Sequence, residues 1–266
     1  MLFVFLKSWP RLSLVASLLG GGLGSWAAEE QKPMQPPKIA AISPLSLFVD
    51  RTNMLSIRGF NLKDTTEVRL SLGAFNLIAR IKDKKDAVTI KGLEAKDTGD
   101  HWLTAEVFIP TDRGPTNGVV SLSVKNSAGE TAPLSRRLID PSMLSLEREP
   151  NGGFKTAQKL TFDSQIVLVA SIQPEHDVDV FEITGRRGQS LALSFRPADF
   201  SSFLDPIVTV YNARLEPLAA LDDTGPKPET ERIVGWSEDG SIFVVVQDAN
   251  EHASDWHGYE LKMNRQ

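Results

Sequence analysis

Short runs of alternating apolar and polar residues follow one another along most of the chain, separated by glycine, proline, asparagine or aspartate. In VVSLSV (119–124), for example, every second residue is large and apolar, namely Val120, Leu122 and Val124. A period of two is typical of a strand that buries one face, and few windows keep the period of a helix. The pattern therefore predicts an all-β protein built from antiparallel sandwiches.

Each half of the chain contains its own series of candidate strands. In the first half they are IAAI (39–42), MLSIRGF (54–60), EVRLSL (67–72), LIARI (77–81), AVTI (87–90), LTAEVFI (103–109), VVSLSV (119–124) and LSRRLI (134–139). In the second half they are IVLVASI (166–172), VDVFEI (178–183), SLALSF (190–195), PIVTVY (206–211), PLAAL (217–221), ERIVGW (231–236), SIFVVVQ (241–247) and YELKM (259–263). KTAQKL contains good helix formers and predicts one short helix at 154–160. Each half has enough residues for its own core, so we expect two β-sandwich domains in tandem.

The N-terminal segment differs from the rest of the chain. Lys7 and Arg11 precede an apolar run at 12–23, and the small residues Ser25 and Ala27 follow it. This order is typical of a signal peptide that is cleaved after Ala27. An uncleaved membrane anchor is the alternative, although the run is shorter than the roughly 20 residues that span a bilayer.

These patterns predict a domain organisation. It comprises a signal peptide (1–27), a flexible proline-rich tether (28–38), a first sandwich (39–140), a linker with candidate metal ligands (141–153) and a second sandwich (154–266). We therefore expect an exported protein, periplasmic or extracellular, with no membrane span after cleavage of the signal peptide.

Composition narrows the chemistry. The net charge of −5 gives no reason to expect a nucleic-acid partner. The chain has no cysteine, so two packed cores must supply the stability that disulfides give many exported proteins, and a metal ion is one candidate for an additional source.

Motifs that carry catalysis are missing from the sequence. It contains no H-E-x-x-H, no G-x-S-x-G and no phosphate-binding loop, so we expect that the protein is not an enzyme. His252 and His257 lie five residues apart in the loop DANEHASDWHG and could share a metal. A hydrated, acidic loop tip explains this pair equally well.

Oxygen-bearing side chains are concentrated in LEREPNGG (146–153), between the two predicted sandwiches. In an extended chain Glu147, Glu149 and Asn151 lie on one side, and Pro150 restricts Glu149 to extended conformations. The simplest interpretation is a hydrophilic linker. The other is a set of oxygen ligands for a cation.

A second acidic pair, Asp177 and Asp179, has the same spacing of two at the start of a predicted strand. Both residues share the parity of Phe181 and Ile183, which we expect in the core. Unpaired carboxylates on the core-facing side are costly, so they require a cation or several hydrogen-bond donors.

Four carboxylates and one amide oxygen form a set of hard ligands, which suits calcium. The predicted calcium ligands are Glu147, Glu149, Asn151, Asp177 and Asp179. Zinc is disfavoured because His176 alone among the histidines is near them in sequence. The alternative is two solvated acidic strand ends with arginines as counter-ions.

Several longer motifs occur in order between residues 145 and 264. They are LEREPNGGFKTAQKL, DVDVFEITGRRGQSLALSF, LDPIVTVYNARLEPLAALDD and DGSIFVVVQDANEHASDWHGYELKM. Together they resemble the bacterial pre-peptidase C-terminal domain, whose members open with E-x-E-P-N and continue with D-x-D-x-F. The resemblance implies a jelly-roll-like β-sandwich of a kind found beside secreted peptidases and other exported enzymes.

In the collagenase members of that family, the domain is a calcium-stabilised module that binds collagen. By resemblance, Glu147, Glu149 and Asn151 match the N-terminal calcium stretch, and the later aspartate pair matches the D-x-D ligands. Gly152 stands where some members have an acidic residue, and SIFVVVQ lacks the usual pair of tyrosines. The resemblance therefore implies one calcium ion rather than two.

The first half resembles an immunoglobulin-like IPT/TIG domain, through PKIAAISPLSLFVDRTNMLSIRGFNL and VVSLSVKNSAGE. DRTN stands where that family usually has a glycine. The pairing of the two domains implies an exported, non-catalytic binding or targeting module for an extracellular or envelope protein or polysaccharide. The alternatives are a structural subunit of a surface assembly, an accessory part of a secreted hydrolase system, and an enzyme whose site has no recognisable motif.

Overall fold

The computed structural model describes four stretches of the chain, 33–113, 118–197, 201–222 and 231–266. The predicted signal peptide (1–27) and the first part of the predicted tether (28–32) lie outside the described residues.

Strands dominate the described residues. Helix is confined there to α1 (Ala95–Thr98) and to two short 3-10 helices, Thr111–Arg113 and Pro141–Met143. The predicted all-β class is therefore confirmed. In the described part of the chain no helix has the length and apolar character needed to cross a membrane.

The first sandwich is built from the strands β1 (Lys38–Ser43), β2 (Leu47–Phe48), β3 (Arg51–Phe60), β4 (Glu67–Leu72), β5 (Phe75–Asp86), β6 (His101–Ile109), β7 (Val119–Asn126), β8 (Gly129–Glu130) and β9 (Leu134–Ile139). They follow one hydrogen-bonded path in the order β1-β3-β6-β5-β4-β7-β9-β2, with β8 beside β7. The first part of β5 pairs with β4 and its second part with β6, so β5 passes from one layer to the other. The layers β1-β3-β6-β5 and β4-β7-β9 correspond to the A-B-E-D and C-F-G sheets of an immunoglobulin-like sandwich.

Alternation along the strands places the core of the first sandwich. In β4, Val68, Leu70 and Leu72 are buried while the residues between them are partly exposed. They belong to one apolar cluster with Leu55 and Ile57 of β3, from the opposite layer. The apolar side chains of the two layers thus meet in one dry core.

The second sandwich is built from β10 (Leu144–Leu146), β11 (Gln158–Lys159), β12 (Gln165–Ser171), β13 (Val178–Gly185), β14 (Ser190–Pro197), β15 (Pro206–Tyr211), β16 (Pro217–Asp222), β17 (Glu231–Gly235), β18 (Gly240–Asp248) and β19 (Gly258–Arg265). One five-stranded sheet has the order β10-β12-β19-β14-β17, and the other has the order β11-β13-β18-β15-β16. Leu168 and Leu261 of the first sheet pack in one cluster with Phe181 and Val244 of the second.

Two local predictions are wrong. Residues 87–90 form no strand. Ala87 makes one more hydrogen bond beyond the end of β5, from its N–H to the carbonyl oxygen of Asp100, and the chain then leaves the sheet at Val88, which is 81% exposed. Residues 154–160 form no helix, because Gln158 and Lys159 pair in parallel with β13. Tertiary pairing here overrides the helix propensity of KTAQKL.

The predicted linker (141–153) contains β10, which pairs in parallel with β12. Part of the linker therefore belongs to a sheet of the second sandwich. Residues Met34–Gln266 form one compact unit with two apolar clusters, and the domain boundaries stay a prediction.

The two sandwiches touch through polar groups and through two half-buried tryptophans. Ile42 donates its N–H to the carbonyl oxygen of Ser201 (3.0 Å), and Arg136 donates from Nη2 to the hydroxyl of Ser201 (2.5 Å). The rings of Trp102 and Trp256 lie 6.3 Å apart at an interplanar angle of 78°. These contacts fix the loop that carries Ser201 against β1 and β9.

Candidate metal centre

Glu147 follows β10 directly and keeps its register. Its N–H donates to the carbonyl oxygen of Val169 on β12 (3.1 Å). Its Oε2 accepts the N–H of Ser171 (2.9 Å), and its Oε1 accepts from Nδ2 of Asn151 (3.1 Å). The carboxylate of Glu147 is thereby fixed beside Ser171 at the end of β12, at the edge of the sheet β10-β12-β19-β14-β17.

Asn151 is fully buried in the turn that follows Glu149. Its N–H donates to Oε2 of Glu149 (2.6 Å), and its carbonyl oxygen accepts the N–H of Gly153 (2.7 Å). Its side-chain Nδ2 is used by Glu147, whereas its Oδ1 is buried with no hydrogen-bond donor among the described residues. An amide oxygen in this position is available as a ligand.

Asp179 is the second residue of β13 and has the parity of Phe181 and Ile183, all three fully buried. Tyr259 of β19 donates its hydroxyl to Oδ2 of Asp179 (2.5 Å). The other carboxylate oxygen, Oδ1, is buried and has no donor in the described part of the chain. A buried carboxylate oxygen without a donor is expensive unless a proton or a cation neutralises it.

The carboxylates of Glu147, Glu149 and Asp179 converge. One oxygen from each lies within 4.8 Å of the others, and the described residues contain no other group of three acidic or histidine side chains with this spacing. Glu147 and Asp179 come from different sheets, and they lie near the last residue of β12 and the first residue of β13, so the cluster bridges the two sheets at these strand ends.

This crowding changes the acidity of the cluster. Burial raises the pKa of Asp179 to about 10, and the neighbouring carboxylate of Glu147 adds to the rise. Partial desolvation, together with the charges of Asp177 and Glu147, raises the pKa of Glu149, although the N–H of Asn151 opposes this. Burial also raises the pKa of Tyr259 well above 10, so its hydroxyl stays protonated and keeps donating to Asp179.

The donor set fits calcium. Every group in the cluster offers oxygen, and two buried oxygens, Oδ1 of Asn151 and Oδ1 of Asp179, have no donor among the described residues. Hard oxygen donors in irregular geometry are what calcium accepts, whereas zinc prefers nitrogen and sulfur. The residues that would hold the ion are Glu147, Glu149, Asn151 and Asp179.

Asp177, the fifth predicted ligand, is not part of this set. Its Oδ2 accepts the N–H of Gln173 (2.8 Å), and its Oδ1 accepts the N–H of Val178 (2.9 Å). It precedes β13 and closes the turn at 173–177, so its carboxylate is used by the backbone. Its charge still acts on the cluster by raising the pKa of Glu149 and of Asp179.

The sequence reasoning missed two residues that shape the site. Tyr259 reaches Asp179 from β19, and the signal that could have found it was the adjacent Gly258 and Tyr259 in HGYEL (257–261). Gln158 contacts the backbone on both sides of Glu147, and no local pattern marks it.

His252 and His257 make different contacts in the structure. His257 is fully buried, with Nδ1 2.7 Å from the hydroxyl of Ser254. His252 lies against Gly92 of the first sandwich, where an added Cβ would be 2.1 Å from Nε2. The two imidazoles thus make separate packing contacts.

No protein-family model and no curated protein matches the chain. Among solved structures, Aeromonas hydrophila PliG, a periplasmic lysozyme inhibitor of g-type lysozyme, is similar at 10% identity and a TM-score of 0.31, covering 41% of this chain and 96% of that one. The pre-peptidase C-terminal domain of Bacillus anthracis collagenase is similar at 10% identity and a TM-score of 0.30, and the match covers 45% of this chain and 100% of that one. The secreted serine protease VesC of Vibrio cholerae is similar at 11% identity and a TM-score of 0.29, and the match covers 88% of this chain and 51% of that one. TM-scores and identities this low support no conclusion about the fold or the function of this chain.

Proposed function

We propose that the protein is an exported, non-catalytic binding module whose second sandwich is stabilised by one calcium ion. Its ligands are the side chains of Glu147, Glu149, Asn151 and Asp179. The partner of the protein is an extracellular or envelope protein or polysaccharide. Membership of the pre-peptidase C-terminal family would account for a calcium site and a binding role in one domain.

The observation that carries the calcium proposal is the carboxylate of Asp179. It is fully buried, faces the carboxylate of Glu147 and leaves Oδ1 without a donor in the described residues. Acidic side chains alone would be weak support, since solvated clusters are common. A buried carboxylate beside a second carboxylate is a different case, because it must either hold a proton or meet a cation.

The ligands have a structural task that follows from their positions. Glu147 extends a strand of one sheet, and Asp179 belongs to a strand of the other. Calcium would supply the positive charge that lets both stay ionised at neutral pH. Glu147 and Asp179 would then hold the two sheets together at an end where the apolar core gives way to solvent.

Thermal unfolding of the mature chain tests this proposal. Calcium at about 100 times its Kd is expected to add about 2.7 kcal/mol to the free energy of unfolding, and therefore to raise the melting temperature relative to a chelator. Asp179→Asn is expected to abolish that rise, because it removes the central carboxylate. Calorimetric titration should show one site per chain.

A matched control comes from the same sandwich. Asp163 is exposed and outside the cluster, so Asp163→Asn should respond to calcium like the wild type. A wild-type chain whose melting temperature and titration heat ignore calcium would contradict the proposed site. An equal loss of response in both variants would point to non-specific binding.

The absence of catalysis is tested separately. The mature chain, with and without calcium, is expected to show no turnover in screens of peptides and glycans. Reproducible turnover that is lost in a single-residue variant would overturn the binding-module proposal while leaving the calcium site standing.

A further inference from the structure

We propose that Gln158 is a positioning residue for the metal centre, because its side-chain amide completes the hydrogen bonding of the strand that carries Glu147. This inference rests on the proposed calcium site. It assigns a role to a residue that is not itself a ligand.

The segment that carries Glu147 continues β10, the edge strand of its sheet, and pairs with β12 on one side only. Glu147 uses its N–H toward β12, so the backbone groups of the residues on either side of it face the opposite edge. Gln158 occupies that edge. Its Oε1 accepts the N–H of Arg148 (2.7 Å), and its Nε2 donates to the carbonyl oxygen of Leu146 (3.0 Å). One amide side chain thus does what a neighbouring strand would do.

Gln158 also belongs to the sheet that carries Asp179. It is 7% exposed and lies in β11, where it pairs with Phe181 of β13, two residues beyond Asp179. Its backbone is therefore fixed to the strand of one ligand, and its side chain is fixed to the strand of another. The spacing between the carboxylates of Glu147 and Asp179 depends on this link.

An aromatic contact holds the turn between Asn151 and Gln158. The ring of Phe154 is edge-on to Tyr211 (5.5 Å, 83°) and to Phe243 (5.3 Å, 85°) on the outer face of the second sheet. Gln158 therefore approaches the ligand strand from a segment that is anchored on the sheet.

Without the amide of Gln158, the edge groups at Leu146 and Arg148 would turn to water, and the strand around Glu147 could move. Binding would then have to order that strand, and this cost appears as lost affinity. Residues that orient metal ligands typically change affinity by about tenfold to a hundredfold when they are removed.

The test compares Gln158→Met with Gln165→Met in the full mature chain. Both replace an amide with an unbranched side chain of similar length, but Gln165 begins β12, six residues and roughly 20 Å from Ser171. Calcium titration is expected to give about tenfold or more weaker binding for Gln158→Met, and an unchanged Kd for Gln165→Met.

Terbium provides a readout that a general loss of stability would not change. Tyr259 lies beside the cluster and can sensitise bound Tb³⁺. Luminescence lifetimes in H₂O and D₂O count the waters on the ion. Gln158→Met is expected to bind Tb³⁺ with additional water, because Glu147 no longer reaches it, whereas Gln165→Met should match the wild type.

Hydrogen exchange in the wild type supplies a measurement that needs no variant. The N–H of Arg148 should be protected in chelator as well as in calcium, since Gln158 already accepts from it. Free exchange of that N–H in chelator would overturn the inference, as would equal affinity and water count in Gln158→Met. A wild-type chain that binds neither Ca²⁺ nor Tb³⁺ would instead refute the calcium site, and this inference with it.

Discussion

Two buried asparagines, one in each sandwich, differ in the hydrogen bonding of their side chains. In the first, Asn126 accepts from Ala128 and Gly129 through Oδ1, and its Nδ2 donates to the carbonyl oxygen of Gln35 (2.9 Å). In the second, Asn151 uses its Nδ2 but leaves its buried Oδ1 without a donor in the described residues.

The buried charges differ in the same way. Arg58 of the first sandwich is 4% exposed and donates to the carbonyl oxygens of Thr98 (2.8 Å), Val88 (2.7 Å) and Gly99 (3.3 Å). Asp179 of the second sandwich faces another carboxylate instead. Arg58 completes its hydrogen bonding within the chain, whereas the carboxyl group of Asp179 must either hold a proton or meet a cation. A buried charge with a complete set of hydrogen bonds is typical of a group that only stabilises the fold. A buried oxygen without a donor is typical of a site that binds an ion or has another function.

The largest expected effect is the response of the second sandwich to pH in the presence of a chelator. Because the folded pKa of Asp179 is raised to about 10, the folded chain keeps a proton that the unfolded chain loses above about pH 4. The stabilisation contributed by this proton is fully present below about pH 4 and declines as pH rises toward 10. Between pH 5 and 8 the contribution of Asp179 to the free energy of unfolding should fall by about 1.4 kcal/mol per unit, about 4 kcal/mol in all. Denaturant unfolding at each pH measures it.

Two controls accompany the pH series. Asp179→Asn should flatten the profile, because the neutral amide has no proton to lose, and saturating calcium should flatten it in the wild type. A profile that rises with pH would show that Asp179 is ionised in the folded chain and would remove the contrast with Arg58.

The next effect concerns the first sandwich. Arg58→Met should lower the free energy of unfolding by about 3 kcal/mol, because the carbonyl oxygens of Thr98 and Val88 lose their buried donor. The loss should be the same with and without calcium, as measured by calorimetry. If the loss depended on calcium, the stability of the first sandwich would be coupled to the metal centre of the second, and the two buried charges would not be independent.

The smallest effect distinguishes the two aspartates of D-x-D. Asp177→Asn should destabilise the chain by about 1 kcal/mol, because one amide oxygen replaces two acceptors for the N–H groups of Gln173 and Val178. The melting-temperature rise with calcium should persist. Its disappearance would place Asp177 among the ligands and extend the centre to the turn at 173–177.

Parity accounts for what the sequence could predict about the site. The alternation that made Phe181 and Ile183 core residues also put Asp179 inside, as the structure has it. The same rule failed for Asp177, because β13 begins at Val178 and the residue before it lies in a turn. Alternation holds only within a strand, and the sequence did not mark where this one begins.

Long-range contacts account for what could not be predicted. Tyr259 meets Asp179 across 80 positions, and Gln158 reaches back over the turn to Leu146. The segment at 154–160 favoured a helix locally, yet its pairing with β13 decides its structure. Strand pairing depends on neighbours that are distant in the sequence, which local patterns do not identify.

The joint at Ser201 bears on how the protein could hold a ligand. Ser201 is 2% exposed, and the first sandwich engages both its backbone oxygen and its hydroxyl. These contacts oppose rotation of one sandwich relative to the other, so a ligand bound to one sandwich would keep a fixed orientation relative to the other. The two sandwiches would then move as one body, at an angle set by these contacts.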